Sequence, residues 1–564
     1  MTEICHDLNR SDFSLEGSGG RRILGQAAAA RSIDTGDSMN TAVQFRLKPL
    51  AACLALALAL APVDALVAAD RAYPPIGANA LQHSPRPSAI AHLLESSMPV
   101  ARGRSLQEVV GRLAAAARAA RPPAAREPRA VAVTVCDDDG PGSLRDALTN
   151  AASGDTIDLT QLTCSTISLT TGAIETTADD VTVVGPGRKT LTIDAGRLSG
   201  VINHYGTGTL TVQGVTLSNG YIQGYAYHGG ACVLSSGNIE LDDATVSHCT
   251  AYTAHAYGGA LCATGDITLN DATLSGNLTQ GHFYYYYYPG YPNPYLFNGT
   301  SRGGGAYAAG RFTISNSTIT QNTATYNNRG STGGGFASRS GGHLITGSTI
   351  SANYAWLGGG FNILGHYGGE STGLTVLDST ISGNTAALTS GGFNAYRLAY
   401  LTLHNSTVTA NSAPYCGGVY VYYGAADIKS SIIAGNTSQY SYNQFGYYTA
   451  ADLDVFASNA TIDGEHNLVM TSNAPLPADT LTDDPQLLPL ADNGGPTFTH
   501  ALAPTSIAID AGSNPDALDF DQRGADFLRE AGAAADIGAF ELQDVVVDFI
   551  FSDGFELPAL RPSS

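Results

Sequence analysis

Two acidic residues, Asp243 and Asp271, hold the same place in two copies of a repeated phrase. Each stands two residues before a threonine that opens a short β-branched run, Thr245-Val-Ser247 or Thr273-Leu-Ser275. On adjacent turns of a repeating backbone they would lie about one strand spacing apart, ~4.8 Å. Carboxylates that close share a proton or hold a cation. The pair is therefore the catalytic candidate, either as acids flanking a glycosidic bond or as ligands of Ca²⁺, the one cofactor considered. A plainer reading competes with it. Asp and Asn suit turns, and Asn316 and Asn405 fill the same slot in later copies. Neither acidic copy holds an Arg or Lys to act as base. His228, His248, His255 and His282 lack ligand spacing, and no Cys-x-x-Cys is present, so no metal site is expected.

Aromatic side chains are the second candidate. Tyr221, Tyr225, Tyr252, Tyr257, Tyr284, Tyr285, Tyr286, Tyr287, Tyr288, Tyr326, Tyr354 and Trp356 all fall in insertions between a repeated corner position, usually Asn, and the Gly-Gly that follows. Tyrosine combines a large contact area, little entropy to lose and a polar tip. A ridge of them would stack on sugar rings or on a partner's apolar patch. Alternatively the rings pack over the outer wall and shield it. Nucleic acid is excluded on charge. Residues 131–545 hold 35 Asp+Glu against 12 Lys+Arg, and aromatic stacking on nucleic acid comes with basic charge.

The elements that would position these residues follow from the repeat. Its sentence reads: short strand, Ser-Thr corner, second strand, Asn, insertion, Gly-Gly, third strand. Phe312 to Asn322 followed by Gly333-Gly-Gly-Phe336, and Leu374 to Asn384 followed by Gly391-Gly-Phe393, are two of its copies. A period of this length means a solenoid. Registered on its threonines, the second strand puts Asn277, Asn322, Asn353, Asn384, Asn411 and Asn436 at one corner. There they could bond to one another and take the left-handed conformation of a sharp bend. Leu274, Ile319, Ile350, Ile381 and Val408 would fill the lumen. The expected fold is all-β: a single-stranded, right-handed parallel β-helix with three strands per coil. A small N-terminal helix, residues 142–152 with Ser143 as N-cap, would cover the first coil. An irregular C-terminal cap is expected where prolines punctuate residues 470–545.

The remaining boundaries concern export. Residues 1–38 read as a non-native extension. Residues 39–69 carry the basic, apolar and small-residue regions of a signal peptide. Residues 70–130 form a Pro/Ala/Arg-rich linker, 131–200 the N-terminal cap and first coils, 201–469 the repeats, and 546–564 a tail. Beyond the leader no apolar run is long enough to span a bilayer. Six cysteines follow the leader, which in an exported chain suggests disulfides. Cys136 and Cys164 lie about one coil apart and are the expected pair. The pairing of Cys232, Cys249, Cys262 and Cys416 is open.

These repeats resemble secreted bacterial β-helix proteins of the pectin-lyase-like superfamily. The Gly-Gly and Asn alternation is similar to the polymorphic outer-membrane protein repeat. Gly142-Ser-Leu-Arg-Asp-Ala147 resembles the CSLREA segment. Asp484-Pro-Gln-Leu-Leu-Pro-Leu-Ala-Asp-Asn-Gly-Gly-Pro-Thr497 and Asp536-Ile-Gly-Ala-Phe-Glu541 resemble the choice-of-anchor Q region. The resemblance implies an exported or outer-surface protein without assigned catalysis. The reading that follows is a monomer that recognises polysaccharide, or a cell-surface glycan or protein. Alternatives are a polysaccharide lyase or glycosidase of the same fold, and a structural envelope rod.

Overall fold

The computed structural model describes residues 127–543 apart from 283, 287–294, 298, 327–329, 366–372, 399, 423, 442–448 and 457–461. The expected leader, most of the linker and the tail lie outside these residues. The described chain winds as a parallel β-solenoid. First, second and third strands of successive coils stack into parallel sheets of 12, 11 and 10 strands, each strand beside the equivalent one a coil away. Register is kept residue for residue, as in Thr318↔Thr349↔Thr380↔Thr407. The alternation of strand side chains turns every other residue inward, so like residues form files. Leu274, Ile319, Ile350, Ile381 and Val408 make one file and are fully buried. Phe336, Phe361 and Phe393 make another, their rings stacked at 4.7 Å. Each such side chain contributes about 1.5–3 kcal/mol of burial.

The insertions do leave the coil on one flank, but they are not loops. They form a fourth parallel sheet of 10 strands between the second and third sheets, here called the insert sheet. Tyr284–Tyr286 and Tyr295–Phe297 add a two-stranded antiparallel hairpin.

Two buried ladders hold the corners. Asn353 shows how the first works. Its Oδ1 accepts from Asn322 N at 2.9 Å and Asn322 Nδ2 at 3.0 Å, while its Nδ2 donates to Ile319 O and Asn384 Oδ1, both at 2.9 Å. The pattern runs from Asn277 to Asn436 and ends on the acceptor-only Asp452, whose Oδ1 receives Asn436 Nδ2 at 2.9 Å. Hydrogen bonding alone selects Asn here, because the left-handed residue is the preceding one: Gln321 (φ 57°), Ala352 (54°), Gly383 (65°) and Ala410 (56°). A second ladder, Ser317, Ser348, Ser379, Ser406 and Ser431, runs between the first and second sheets, each hydroxyl taking the backbone N–H of the serine or alanine one coil before. At the Gly-Gly corner a Cβ on Gly359 would meet Gly391 O at 2.4 Å, which excludes any side chain.

At the N-terminal end a helix, Leu144–Thr149, closes the lumen. Ser143 caps it by accepting from Asp146 N at 3.1 Å, and Leu144, Ala147, Leu148 and Ala151 are buried. Arg145 is buried as well, paired with Asp138 at 2.6 Å. Cys136 is bonded to Cys164, and Cys232 to Cys249; Cys262 and Cys416 are free and buried.

After the last strand, Leu468–Val469, the chain turns back. Residues 470–481 cross the end of the last coil, where Leu453 N donates to Thr471 O at 3.2 Å and Val469 N to Leu481 O at 2.9 Å, and residues 485–543 lie as a strap along the outer face of the second sheet. Thr349 Oγ1 donates to Phe498 O at 2.6 Å, Thr380 Oγ1 to Gln522 Oε1 at 2.5 Å, and Ala539 N to Thr407 Oγ1 at 3.0 Å. Ile432 and Ala434, which replace hydroxyl residues in the last outward files, pack on Leu502, Ala508, Ile537 and Phe540.

Candidate functional site

Asp243 and Asp271 do lie on adjacent coils, and they have a basic partner that registering the repeats did not reveal. Arg188 precedes them by two and three coils. Its Nε lies 3.2 Å from Asp243 Oδ1 and its Nη2 3.1 Å from Asp271 Oδ1, and Nη1 donates to Asp271 O. The intervening place in the corner file belongs to Gly214, so no side chain blocks Arg188. The expectation that no cation serves these coils is therefore corrected: a solenoid brings the ends of distant loops to one vertical line. The backbone accounts for the acids themselves. Asp243 (φ 43°) and Asp271 (45°) are left-handed, as are Asn316 (49°), Gly347 (56°), Asp378 (48°) and Asn405 (43°) in the same file. Asp, Asn and Gly are the residues that tolerate this bend. The carboxylates are 44% and 43% exposed. They form a surface triad in which one guanidinium bridges two carboxylates, so the acids are not free. No group of three His, Cys, Asp or Glu that could hold a metal occurs among the described residues.

Among the described residues the tyrosines of the insertions differ in burial and do not line up in a single file. Tyr257 and Tyr326 are each only 5% exposed. Tyr257 packs edge-on against Tyr307 with Arg302 5.6 Å from its ring. Tyr257 is covered because it lies in the file of Arg302 and Thr332, against the outward-facing Tyr307. Tyr221, Tyr252, Tyr354 and Trp356 are half-buried. Tyr221 and Tyr354 share one file but are separated in it by Thr250, Leu278 and Thr323, while Tyr252 belongs to another, between Gln223 and Gln280. Tyr221 lies under Arg197 at 5.2 Å, and Tyr252 stacks on His282 at 5.0 Å. Tyr225 and Tyr284–Tyr286 are described in backbone only, and Tyr287 and Tyr288 lie outside the described residues.

Registering the third strand, as was done for the second, leads to a different surface. Its central residues face outward and form the file Leu234, Cys262, Tyr307, Ala337, Asn362, Asn394, Tyr420, Asp454. Two residues on, Leu364, Tyr396, Tyr422 and Phe456 form a parallel file. Tyr396 and Tyr422 stack at 4.7 Å and 11°, Tyr420 lies 5.5 Å from Phe456, and the Arg397 guanidinium sits 4.9 Å from the Tyr396 ring. Asn394 Nδ2 donates to Asn362 Oδ1 at 2.7 Å. Asp454 ends the file. Its Oδ1 accepts from Ala450 N at 2.6 Å, and its buried Oδ2 has no hydrogen-bond partner among the described residues. Burial pushes this carboxyl up to about 7, partly offset by the Ala450 hydrogen bond.

Where the third sheet meets the last file of the insert sheet, Tyr257, Arg302, Thr332, Leu357, a cavity of ≈ 50 Å³ opens. Arg302 and Thr332 line one side, Tyr307, Ala337 and Asn362 its floor, and Arg339 the other side. Ala337 is the small residue between Tyr307 and Asn362 that makes the depression. The outer face of the third sheet thus combines planar rings, carboxamides and guanidinium groups. That combination offers stacking, directional hydrogen bonds and forked ion contacts.

No family model matches this chain, and no curated protein matches it. Among solved structures it is similar to the crystal structure of pectate lyase Pel9A, at 15% sequence identity over 74% of this chain and 97% of that chain, with a TM-score of 0.41.

Proposed function

We propose that this protein is an exported β-solenoid that recognises polysaccharide along the outer face of its third sheet. The stacked pair Tyr396–Tyr422, flanked by Tyr420 and Phe456 and by the Asn362–Asn394 carboxamides, carries the reading. Half-buried rings held in place beside carboxamides suit a sugar chain, whose faces are apolar and whose edges are hydroxyls. The rigid wall supports it too, because a site built on strands loses little entropy on binding. Two disulfides favour an oxidising compartment. Attachment to a cell surface, a single-copy state in solution and the boundaries of the exported body are part of the same proposal.

The test is a panel of immobilised polysaccharides probed with wild-type protein, with Tyr396→Ser/Tyr422→Ser, and with Tyr284–Tyr288 replaced by Ser. Loss of two stacking rings should weaken binding about tenfold or more, with far-UV circular dichroism unchanged. The 284–288 variant should bind like wild type. If only that variant loses binding, the site lies on the inserted hairpin and the third-sheet reading falls.

A second reading has its own observation. Arg188 held between two half-exposed carboxylates is an arrangement from which a carbohydrate-active enzyme could work, the acids acting once a substrate displaced the guanidinium. Release of oligosaccharides by wild type and not by Asp271→Ala would favour it.

A further inference from the structure

The cavity between the insert sheet and the third sheet has a chemistry unlike its surroundings. The body is strongly acidic, with 35 Asp+Glu against 12 Lys+Arg over residues 131–545. Yet among the described residues this cavity is lined by two guanidinium groups, Arg302 and Arg339, and by no carboxylate. Arg302 makes no ion pair among the described residues; its contact is the face of Tyr257 at 5.6 Å. Among the described residues Arg145, Arg188, Arg311, Arg523 and Arg529 are matched to acids, whereas Arg197, like Arg302, lies against a tyrosine ring. The remaining polar lining is also donor-rich. Thr332 offers a hydroxyl. Asn362 already accepts through Oδ1 from Asn394 at 2.7 Å, so it has its NH₂ to give. Tyr307 feels both arginines: burial raises its phenol, and both cations act in the opposite sense.

We infer that this cavity is an oxyanion-binding pocket, taking a sulfate ester or a carboxylate through Arg302 and Arg339. Its ≈ 50 Å³ holds about three to five waters, which is room for one such group and not for a sugar ring. The polymer would therefore lie on the neighbouring rings and place a charged substituent in the pocket. This part rests on the polysaccharide reading. The pocket's preference for an oxyanion does not. Long-range attraction cannot explain binding here, because an acidic protein repels polyanions. Forked, charge-assisted donors at short range are required.

The experiment has two arms. In the first, thermal unfolding is followed in sodium sulfate and in sodium chloride of equal ionic strength, for wild type, Arg302→Gln and Arg339→Gln. Sulfate stabilises any folded protein by exclusion, so the readout is the difference between proteins. Wild type should gain about 1–2 °C more than either variant. Arg302→Lys keeps a cation over Tyr257 and replaces R302Q if that variant unfolds; it should lose most of the difference, lacking the fork. Equal gains in all proteins overturn the pocket. In the second arm, dextran sulfate, alginate and uncharged dextran are titrated. The sulfated or the uronate polymer should bind wild type about tenfold more tightly than the glutamine variants, and whichever does so identifies the substituent. Should the sulfate difference appear while all three polymers fail to bind, the polysaccharide reading falls and the pocket stands. Tight binding of the charged polymers that both variants retain overturns the pocket.

Discussion

Single side chains here act through their coil neighbours. Asn353 uses both amide hydrogens and its carbonyl within a buried file. Asn353→Ala leaves the Asn322 amide groups, Ile319 O and Asn384 Oδ1 without that partner. Buried polar groups left unpaired cost about 1–3 kcal/mol each, so the variant should lose at least about 3 kcal/mol and show a lower Tm, with hydrogen exchange accelerating first around Asn322 and Asn384. An unchanged Tm would mean that water replaces the side chain. Asn353→Asp should do little better: a carboxylate can accept from Asn322 but cannot donate to Ile319 O. The file was legible from sequence because its members recur at a fixed distance from the register threonine. The bend one residue earlier was not, since Gln321, Ala352 and Ala410 adopt positive φ without a type that announces it.

At the scale of elements, the strap is a part whose stability depends on pH. Arg529, fully buried, pairs with Glu541 at 2.9 Å and lies 3.5 Å from Asp378. Burial raises the Glu541 carboxyl to about 7, with the Ala531 and Asp536 amides and Arg529 acting the other way. Burial also raises Asp378 and Asp536. A carboxyl whose folded pKa is raised binds its proton more tightly when folded. Its contribution is therefore full below the unfolded value of ~4.3 and is lost as pH rises toward about 7. His500 titrates in the opposite sense, because burial lowers it while its Leu488 contact raises it. Comparison with Glu541→Gln separates the two. Cleavage within residues 470–543, scored as the ratio of wild type to variant at each pH, should rise between pH 5 and 8. A flat ratio would remove Glu541 as the cause. Prolines showed that this segment is not central sheet. Where it docks was decided by the second sheet, whose outward threonines supply donors and acceptors for irregular backbone.

The described coils form a one-dimensional stack, in which strand pairing joins each coil only to its neighbours. Cys232–Cys249 closes a 17-residue separation, worth about 3 kcal/mol by loop entropy. Cys249→Ser should accordingly loosen the N-terminal coils in urea. Trp356, the single tryptophan, stands several coils away in the insert sheet and should report an unchanged fluorescence midpoint. If far-UV and tryptophan transitions shift together, the solenoid unfolds as one cooperative unit and the stacking picture fails.

By itself the sequence determined the parallel β-solenoid with its three sheets, the lumen files and the corner asparagines, because in a solenoid local period and global geometry are the same information. Folding in three dimensions decided the rest. Arg188 meets Asp243 and Asp271 only because coils two and three turns apart share a vertical edge. The described tyrosines of the insertions divide into buried and half-buried ones only because the insertions pair into a sheet beside the third. Arg302 and Arg339 converge on one cavity only because two sheets meet over the small side chain of Ala337. Periodicity specifies which residues stack; it does not specify what lies across a corner, where two files of different sheets face one another.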